Sequence, residues 1–169
     1  MKLSTCLPNK MCQDLVAKVI IAYTDASIIK VPLSKNTYVA AIGVFFGVND
    51  PRNLSEKYEE SSMKSDIVEI HASISAQAVM RAIQAAPNNG FTLKIFTDSQ
   101  APVKVPTLFQ ASEKDTPKSY FPKATADLKK AIKNRIGSVD IIKIKGHSGE
   151  PGNVAADKLA RDCAREQLK

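Results

Sequence analysis

The first third of the chain contains hydrophobic runs that are separated by turn residues. Val16–Ser27 is apolar and β-branched and then ends in small polar residues, as a buried central strand does. Tyr38–Val48 is hydrophobic and aromatic and predicts a second strand, and the more polar Leu54–Glu60 predicts a third strand at a sheet edge. Turn-forming residues at Asn49–Asn53 separate the second strand from the third. This part of the chain therefore predicts three consecutive strands.

The hydrophobic positions then change to a helical period. Asp66–Ala86 carries isoleucines at helical spacing among alanines, and Pro87 and Gly90 follow it as stop signals. A strand, a basic amphipathic helix, a further strand and a final helix are predicted next, at Phe91–Thr97, Ala124–Arg135, Val139–Ile144 and Val154–Gln167. Three strands followed by alternating helices and strands predict an α/β fold with a sheet flanked by helices. The predicted sheet is mixed and five-stranded, with three antiparallel strands and then parallel additions.

The composition is that of a globular protein of one domain. Of the 169 residues, 44% are hydrophobic and 24% are charged, and no apolar run approaches the roughly 20 residues that span a bilayer. Residues 1–18 are too polar for a signal-peptide core, so we predict an arm of unknown role before a domain at 19–169. The three cysteines lack metal-ligand spacing and predict reduced thiols in an intracellular, reducing compartment (nucleus, cytoplasm or mitochondrion). No membrane partner is expected.

Positive charge is concentrated in one stretch of the chain, whose formal net charge is +7. Residues 99–145 carry ten Lys or Arg against four Asp or Glu, whereas the flanking parts are close to neutral. Clustered lysines attract phosphates and release counterions, which indicates a polyanion partner. A solvated helix face would give the same pattern, so charge alone leaves both interpretations open.

Two aspartates stand in similar strings at the ends of two predicted strands. Asp25 lies in YTDAS and Asp98 in FTDSQ, each directly after an apolar strand. If the two strands are neighbours, the carboxylates lie side by side, and such anions generally persist together only around cations. Oxygen ligands favour hard ions such as Mg²⁺ or Mn²⁺. These strings therefore predict a metal site.

Glu69 and Asp157 are the further candidate ligands. Ordinary structural roles exist for all four acids: a turn at Asp25, a helix cap at Asp98 or its neighbour Ser99, a capping box with Asp66 for Glu69, and the helix dipole in the first turn of the last helix for Asp157. Taken singly, these roles are the better explanation. Taken together, the four acids favour the metal site, because four separate coincidences would otherwise be needed.

The string GHSGEPGNVAADKLA at Gly146–Ala160 predicts a loop that presents His147 before a helix that carries Asp157. Loop histidines are usually surface residues. A histidine on a loop beside acidic metal ligands is also suited to proton transfer or product release. We therefore include His147 among the candidate catalytic residues.

These strings resemble the type 1 ribonucleases H. YTDAS, IVEIHAS, FTDSQ and GHSGEPGNVAADKLA occur in the order of that family, and the resemblance extends from about Val19 to Arg165. AAIGVFFG and EIHAS look especially like the eukaryotic branch. The resemblance implies a ribonuclease H-like fold and a ribonuclease H-like catalytic domain at 19–169. It also implies endonucleolytic hydrolysis of the RNA strand of RNA–DNA hybrids with two Mg²⁺ ions, for which Mn²⁺ can substitute.

The resemblance also assigns roles to the five candidate residues. Asp25 would bridge both ions, Glu69 and Asp98 would hold one ion on the leaving-group side, and Asp157 would hold the ion that activates water. His147 would assist proton movement and product departure. RNA would be distinguished from DNA by 2′-hydroxyl contacts and duplex shape. We expect a monomer without a small-molecule cofactor.

Substrate contacts are the part in which the chain departs from the family. Ala26 replaces the usual glycine, and Ser65 and Asp66 stand where the family commonly has an asparagine and a second amide. The chain has no tryptophan, whereas many members carry a tryptophan-rich basic protrusion, so the helix that ends near Arg135 is expected to supply the electrostatic grip. The predicted substrate-binding residues are Ser27, Lys64, Ser65, Asp66, Ser99, Lys129, Lys130, Lys133 and Asn153.

Two other functions remain open at this point. A catalytically weak or inactive module that binds nucleic acid or a protein is favoured by the changes at Ala26, Ser65 and Asp66, and is opposed by the presence of all four acids. A different nuclease of the same superfold, such as an exonuclease or integrase-like enzyme, is disfavoured because such exonucleases begin with D-x-E, which Asp25-Ala26-Ser27 lacks.

Overall fold

The computed structural model describes residues 18–34, 37–59, 67–106 and 122–169. They form five strands and four helices, in the order β1 (Val19–Lys30), β2 (Tyr38–Phe45), β3 (Leu54–Lys57), α1 (Ile67–Ala85), β4 (Thr92–Thr97), α2 (Gln100–Lys104), α3 (Pro122–Lys133), β5 (Val139–Lys143) and α4 (Pro151–Glu166). In this part of the chain no helix is both long enough and apolar enough to cross a membrane.

The strands form one mixed sheet in the order β3-β2-β1-β4-β5. β1 pairs antiparallel with β2, β2 pairs antiparallel with β3, and β4 and β5 are added in parallel. The predicted α/β fold with three antiparallel strands followed by parallel additions is therefore confirmed. Because β4 and β5 run parallel to β1, the carboxyl ends of these three strands lie at the same edge of the sheet.

Helices cover both faces of the sheet. On one face, α1 packs over β2 through Ile42, Ile70 and Ile74, and α1 and α3 share a larger apolar cluster that contains Val79 and Leu128. On the other face, Cys163 and Ala164 of α4 pack against Ala41 of β2 and Ile29 of β1. The alternation of β1 side chains puts Tyr23, Asp25 and Ile29 on this second face.

β1 begins and ends later than the predicted run Val16–Ser27, and this corrects the position of Asp25. Sequence analysis put Asp25 directly after an apolar strand, but Asp25 lies inside β1 because the antiparallel pairing with β2 continues from Tyr23 to Lys30. The parallel pairing with β4 does end nearby, at Thr24 and Thr97. Asp25 therefore stands where one neighbouring strand stops and the other continues.

The last helix also begins earlier than predicted. α4 starts at Pro151, which occupies its first turn, so Asp157 lies in the second turn. The interpretation of Asp157 as a first-turn partner of the helix dipole is therefore wrong, because that effect fades beyond the first turn. Ser99 does occupy the N-cap position of α2, but its side chain makes no capping hydrogen bond.

Candidate active site

Asp25 and Asp98 lie side by side at the carboxyl edge of the sheet. The register of β1 and β4 pairs Thr24 with Thr97, and the two aspartates are the next residue on each strand. They are close enough for the charge of Asp98 to act on Asp25. This arrangement is what the two similar strings YTDAS and FTDSQ predicted, and parallel pairing without an offset produces it.

The surroundings of Asp25 disfavour its negative charge. Burial of the carboxyl group, and then the negative charge of Asp98, raise the pKa of Asp25 from 3.8 to about 7. The N–H of Ala26, which donates to Oδ1 of Asp25 at 2.7 Å, and the positive charge of Arg161 lower this pKa and offset only part of the rise. A buried carboxylate beside a second acid is a position at which a bound cation would be strongly stabilised.

Asp98 is enclosed by the end of β5. The ammonium of Lys143 donates to the backbone carbonyl of Asp98 at 3.0 Å, and the N–H of Ile144 donates to the carbonyl of Thr97 at 2.9 Å. A Cβ atom at Gly146 would stand 2.9 Å from Oδ2 of Asp98, so a larger residue there would require the carboxylate to shift. Sequence analysis gave no role to Lys143, because its contact depends on the pairing of β4 with β5.

Two glycines bring α4, and with it Asp157, close to Asp25. Gly43 is the β2 partner of Asp25, and a side chain at Gly43 would overlap the backbone of α4 at Ala156. At the start of the helix, a side chain at Gly152 would overlap the ring of Tyr23. The hydroxyl of Tyr23 also donates to Glu150 at 2.9 Å. The helix can therefore lie directly on β1 and β2, in the region of Asp25.

Asp157 forms an ion pair with Arg161, one helical turn later in α4. The side chain of Asp157 is 24% exposed and that of Arg161 is 43% exposed. Because Arg161 also acts on the charge of Asp25, the helix brings Asp157 and its own cation to the same region as the strand-borne acids. Arg161 was missed by sequence analysis, although the spacing of four residues was a visible signal.

Glu69 is half-buried in the first turn of α1. The segment 60–66, which precedes this helix, is outside the described residues. Within residues 18–34, 37–59, 67–106 and 122–169, no three side chains of His, Cys, Asp or Glu are grouped closely enough to hold a metal ion. The structure thus brings Asp25 and Asp98 together and leaves Glu69 and Asp157 on neighbouring elements. The oxygen donors and uncompensated charge of the Asp25–Asp98 pair fit a hard divalent cation.

His147 is exposed on the loop between β5 and α4, next to Gly146. Its φ of 54° is in the left-handed region, which is uncommon for a residue other than glycine. The backbone of the loop is therefore in an uncommon conformation at His147, one residue after Gly146, which lies near Asp98. This position is compatible with the predicted role in proton movement.

The predicted substrate contacts near the acids differ in accessibility. Ser27 and Ser99 are half-buried, and the N–H of Ser99 donates to the side chain of Thr97 at 3.2 Å. Asn153 is only 5% exposed, and its Oδ1 is buried with no hydrogen-bond partner among the described residues. Ala26 has extended backbone within β1 and does not need glycine. Predictions for Lys64, Ser65 and Asp66 fall outside the described residues.

The basic helix α3 packs against α1, and its lysines are more exposed than Arg135, which follows the helix. Lys130 and Lys133 are exposed and Lys129 is half-buried. Arg135 is only 8% exposed and donates to backbone carbonyls, among them that of Pro87 at 2.9 Å. Arg135, at the end of the predicted basic helix, is therefore not exposed for contact with nucleic acid, because its guanidinium donates to the loop that follows α1.

Comparison with known sequences gives one family. The RNase H family profile matches residues 17–165. The ribonuclease H of Schizosaccharomyces pombe (strain 972 / ATCC 24843) is 30% identical over 151 residues, which are 86% of this chain and 53% of that protein. The chain therefore spans about half the length of this relative.

Solved structures with a similar fold include ribonucleases H. LC11-RNase H1, isolated from compost by a metagenomic approach, gives a TM-score of 0.61 at 18% identity over 90% of this chain and 99% of that chain. The PFV RNase H domain gives 0.60 at 18% identity over 87% and 94%. LC11-RNase H1 in complex with RNA/DNA hybrid gives 0.59 at 16% identity over 89% and 99%. At these identities the likeness shows the fold, and the predicted ribonuclease H-like fold is confirmed.

Proposed function

This chain belongs to the RNase H family, and from that premise we propose that it is a metal-dependent endoribonuclease that hydrolyses the RNA strand of RNA–DNA hybrids. The observation that carries the proposal is the Asp25–Asp98 pair. Two carboxylates that directly follow the last paired residues of β1 and β4, with the pKa of Asp25 raised to about 7, form a costly arrangement unless a cation binds there. The likeness of YTDAS and FTDSQ to strings of that family supports a catalytic role for both acids.

In the proposed site, Asp25 and Asp98 would hold divalent cations, and Glu69 and Asp157 would add further carboxylate oxygens. Two Mg²⁺ or Mn²⁺ ions bound there would supply charge stabilisation for the entering and leaving oxygens of the phosphodiester. Asp157 must exchange its ion pair with Arg161 for this purpose. His147, exposed beside Gly146, accepts or donates a proton at the imidazole as water enters or product leaves.

Support for the hybrid as substrate comes from the family and from charge. One structural neighbour, LC11-RNase H1, has been solved in complex with RNA/DNA hybrid. The basic stretch at 99–145 supplies exposed cations on α3, such as Lys130 and Lys133, for phosphates of a nucleic-acid backbone. Recognition of RNA would rest on 2′-hydroxyl contacts in the minor groove.

The proposal is tested with end-labelled RNA–DNA hybrid, RNA duplex and DNA duplex, each incubated with the protein in Mg²⁺ or Mn²⁺. The expected result is cleavage of the RNA strand of the hybrid alone, lost in Asp98→Asn. Asp140→Asn is the matched control, because Asp140 is an exposed acid of β5 outside the site. Binding without cleavage would instead identify a non-catalytic module, and cleavage of DNA would identify a different nuclease.

A further inference from the structure

We propose that Lys143 is a positioning residue for Asp98, acting through the backbone of the β4–α2 turn. The inference rests on the proposed function, because it concerns how one acid of that site is held. Lys143 is the last residue of β5, the edge strand of the sheet beside β4. Its ammonium donates to the carbonyl oxygen of Asp98 at 3.0 Å.

The contact lies just beyond the regular pairing of the two strands. Lys143 is in register with Thr97, and the last backbone hydrogen bond between the strands runs from the N–H of Ile144 to the carbonyl of Thr97 at 2.9 Å. The next carbonyl, that of Asp98, receives the lysine ammonium instead. A hydrogen bond from a charged donor is stronger than a neutral one, so it restrains the backbone where the strand ladder ends.

The other side of Asp98 is bounded by the same short segment. Gly146 stands so close that a Cβ atom there would be 2.9 Å from Oδ2 of Asp98. The carbonyl of Asp98 is thus bonded to Lys143 while its carboxylate lies near Gly146, in a segment that leads directly to His147. A shift of the Asp98 backbone on loss of Lys143 would therefore move the carboxylate as well.

Lys145 provides a matched control for general electrostatic effects. It is an exposed lysine two residues after Lys143, at the same end of β5. Loss of either lysine removes one positive charge from the same edge of the sheet. A role in attracting the phosphate backbone would make the two substitutions similar, whereas a positioning role predicts an effect of Lys143 alone.

The experiment measures Mn²⁺ binding by calorimetry without nucleic acid, and then kcat and KM on a hybrid. We expect Lys143→Met to raise the Kd for Mn²⁺ and lower kcat by about tenfold each, the lower limit for partners that orient metal ligands. KM should stay unchanged, Lys143→Arg should restore much of the loss, and Lys145→Met should leave the Kd for Mn²⁺ as in wild type. The thermal midpoint of each variant verifies folding.

Equal Kd values for Mn²⁺ in Lys143→Met and Lys145→Met would overturn the proposal, and so would an effect confined to KM and its salt dependence. If the wild type binds Mn²⁺ but cleaves nothing, the proposed function fails while the calorimetric comparison still decides the role of Lys143. If it binds no Mn²⁺, the NMR shift of the Asp98 carbonyl carbon decides. That shift should move in Lys143→Met and not in Lys145→Met, and an unmoved shift contradicts the inference.

Discussion

The strand-borne acids and the helix-borne acids of this site are held in different ways. Asp25 and Asp98 are adjacent because β1 and β4 pair in parallel, and the pKa of Asp25 is raised to about 7 by burial and by Asp98. Asp157 lies on α4 and is already paired with Arg161, a cation of its own helix. The strand-borne pair therefore has the larger electrostatic need for a metal ion, whereas Asp157 is stable without one.

The largest expected effect is a difference in activity between the two kinds of acid. Asp25→Asn should lower kcat by at least about a hundredfold, because it removes charge from the position at which a cation contributes several kcal/mol. Asp157→Asn should cost less, since Arg161 already neutralises that carboxylate. Single-turnover cleavage of a hybrid measures both variants. Equal losses would remove the distinction between strand-borne and helix-borne acids.

The next effect is on the stability of the metal-free protein. The pKa of Asp25 is about 7 in the folded state and 3.8 ordinarily, so the folded chain keeps a proton that the unfolded chain releases. The stabilising contribution is complete below about pH 4 and is lost as the pH rises through about 7. Relative to Asp25→Asn, wild type in EDTA should lose on the order of a few kcal/mol over this range.

Urea unfolding of both proteins at several pH values measures this difference. Other groups, such as Asp50, whose pKa is lowered to about 2 by Arg52, contribute equally to wild type and variant and therefore cancel. Added Mg²⁺ should remove most of the loss at high pH, because it binds only the folded carboxylates. A difference in unfolding free energy that does not change with pH would show that burial and Asp98 do not raise the pKa of Asp25.

The smallest expected effect concerns the cation of the helix. Arg161→Met should free Asp157 for metal and tighten Mn²⁺ binding by at most about fivefold, since partly exposed ion pairs contribute about 1 kcal/mol or less. Lys158→Met is the control, because Lys158 forms the same i,i+4 pair with Asp162 on an exposed part of α4. Weaker Mn²⁺ binding in Arg161→Met would show that Arg161 supports the site rather than competing for Asp157.

The strand-borne part of the site was predictable, because Asp25 and Asp98 stand in like strings and the parallel pairing of Thr24 with Thr97 aligns them. The helix-borne part was less so. Arg161 and Lys158 each stand four residues from an acid, and only the tertiary packing of α4 distinguishes the pair near Asp25 from the exposed one. Gly43 has a role only because α4 crosses β2 there.

The concentration of positive charge in residues 99–145 predicted the positions of individual side chains least well. Arg135 contributed to the basic stretch as much as any lysine of α3, yet its guanidinium is buried against carbonyls of the loop after α1. Lys143 belonged to the same stretch and contacts Asp98. A count of charges is insensitive to burial and to pairing between strands that are distant in sequence, and both depend on the complete sheet.

The most direct test of a metal site at the Asp25–Asp98 pair is the number of protons released when Mn²⁺ binds at about pH 6. Calorimetry in buffers of different ionisation enthalpy gives this number, because metal displaces protons from its ligands. With a pKa of about 7, Asp25 is mostly protonated at that pH, so the account predicts release of close to one proton, absent in Asp25→Asn. Binding without proton release, or the same release in Asp25→Asn, would contradict it.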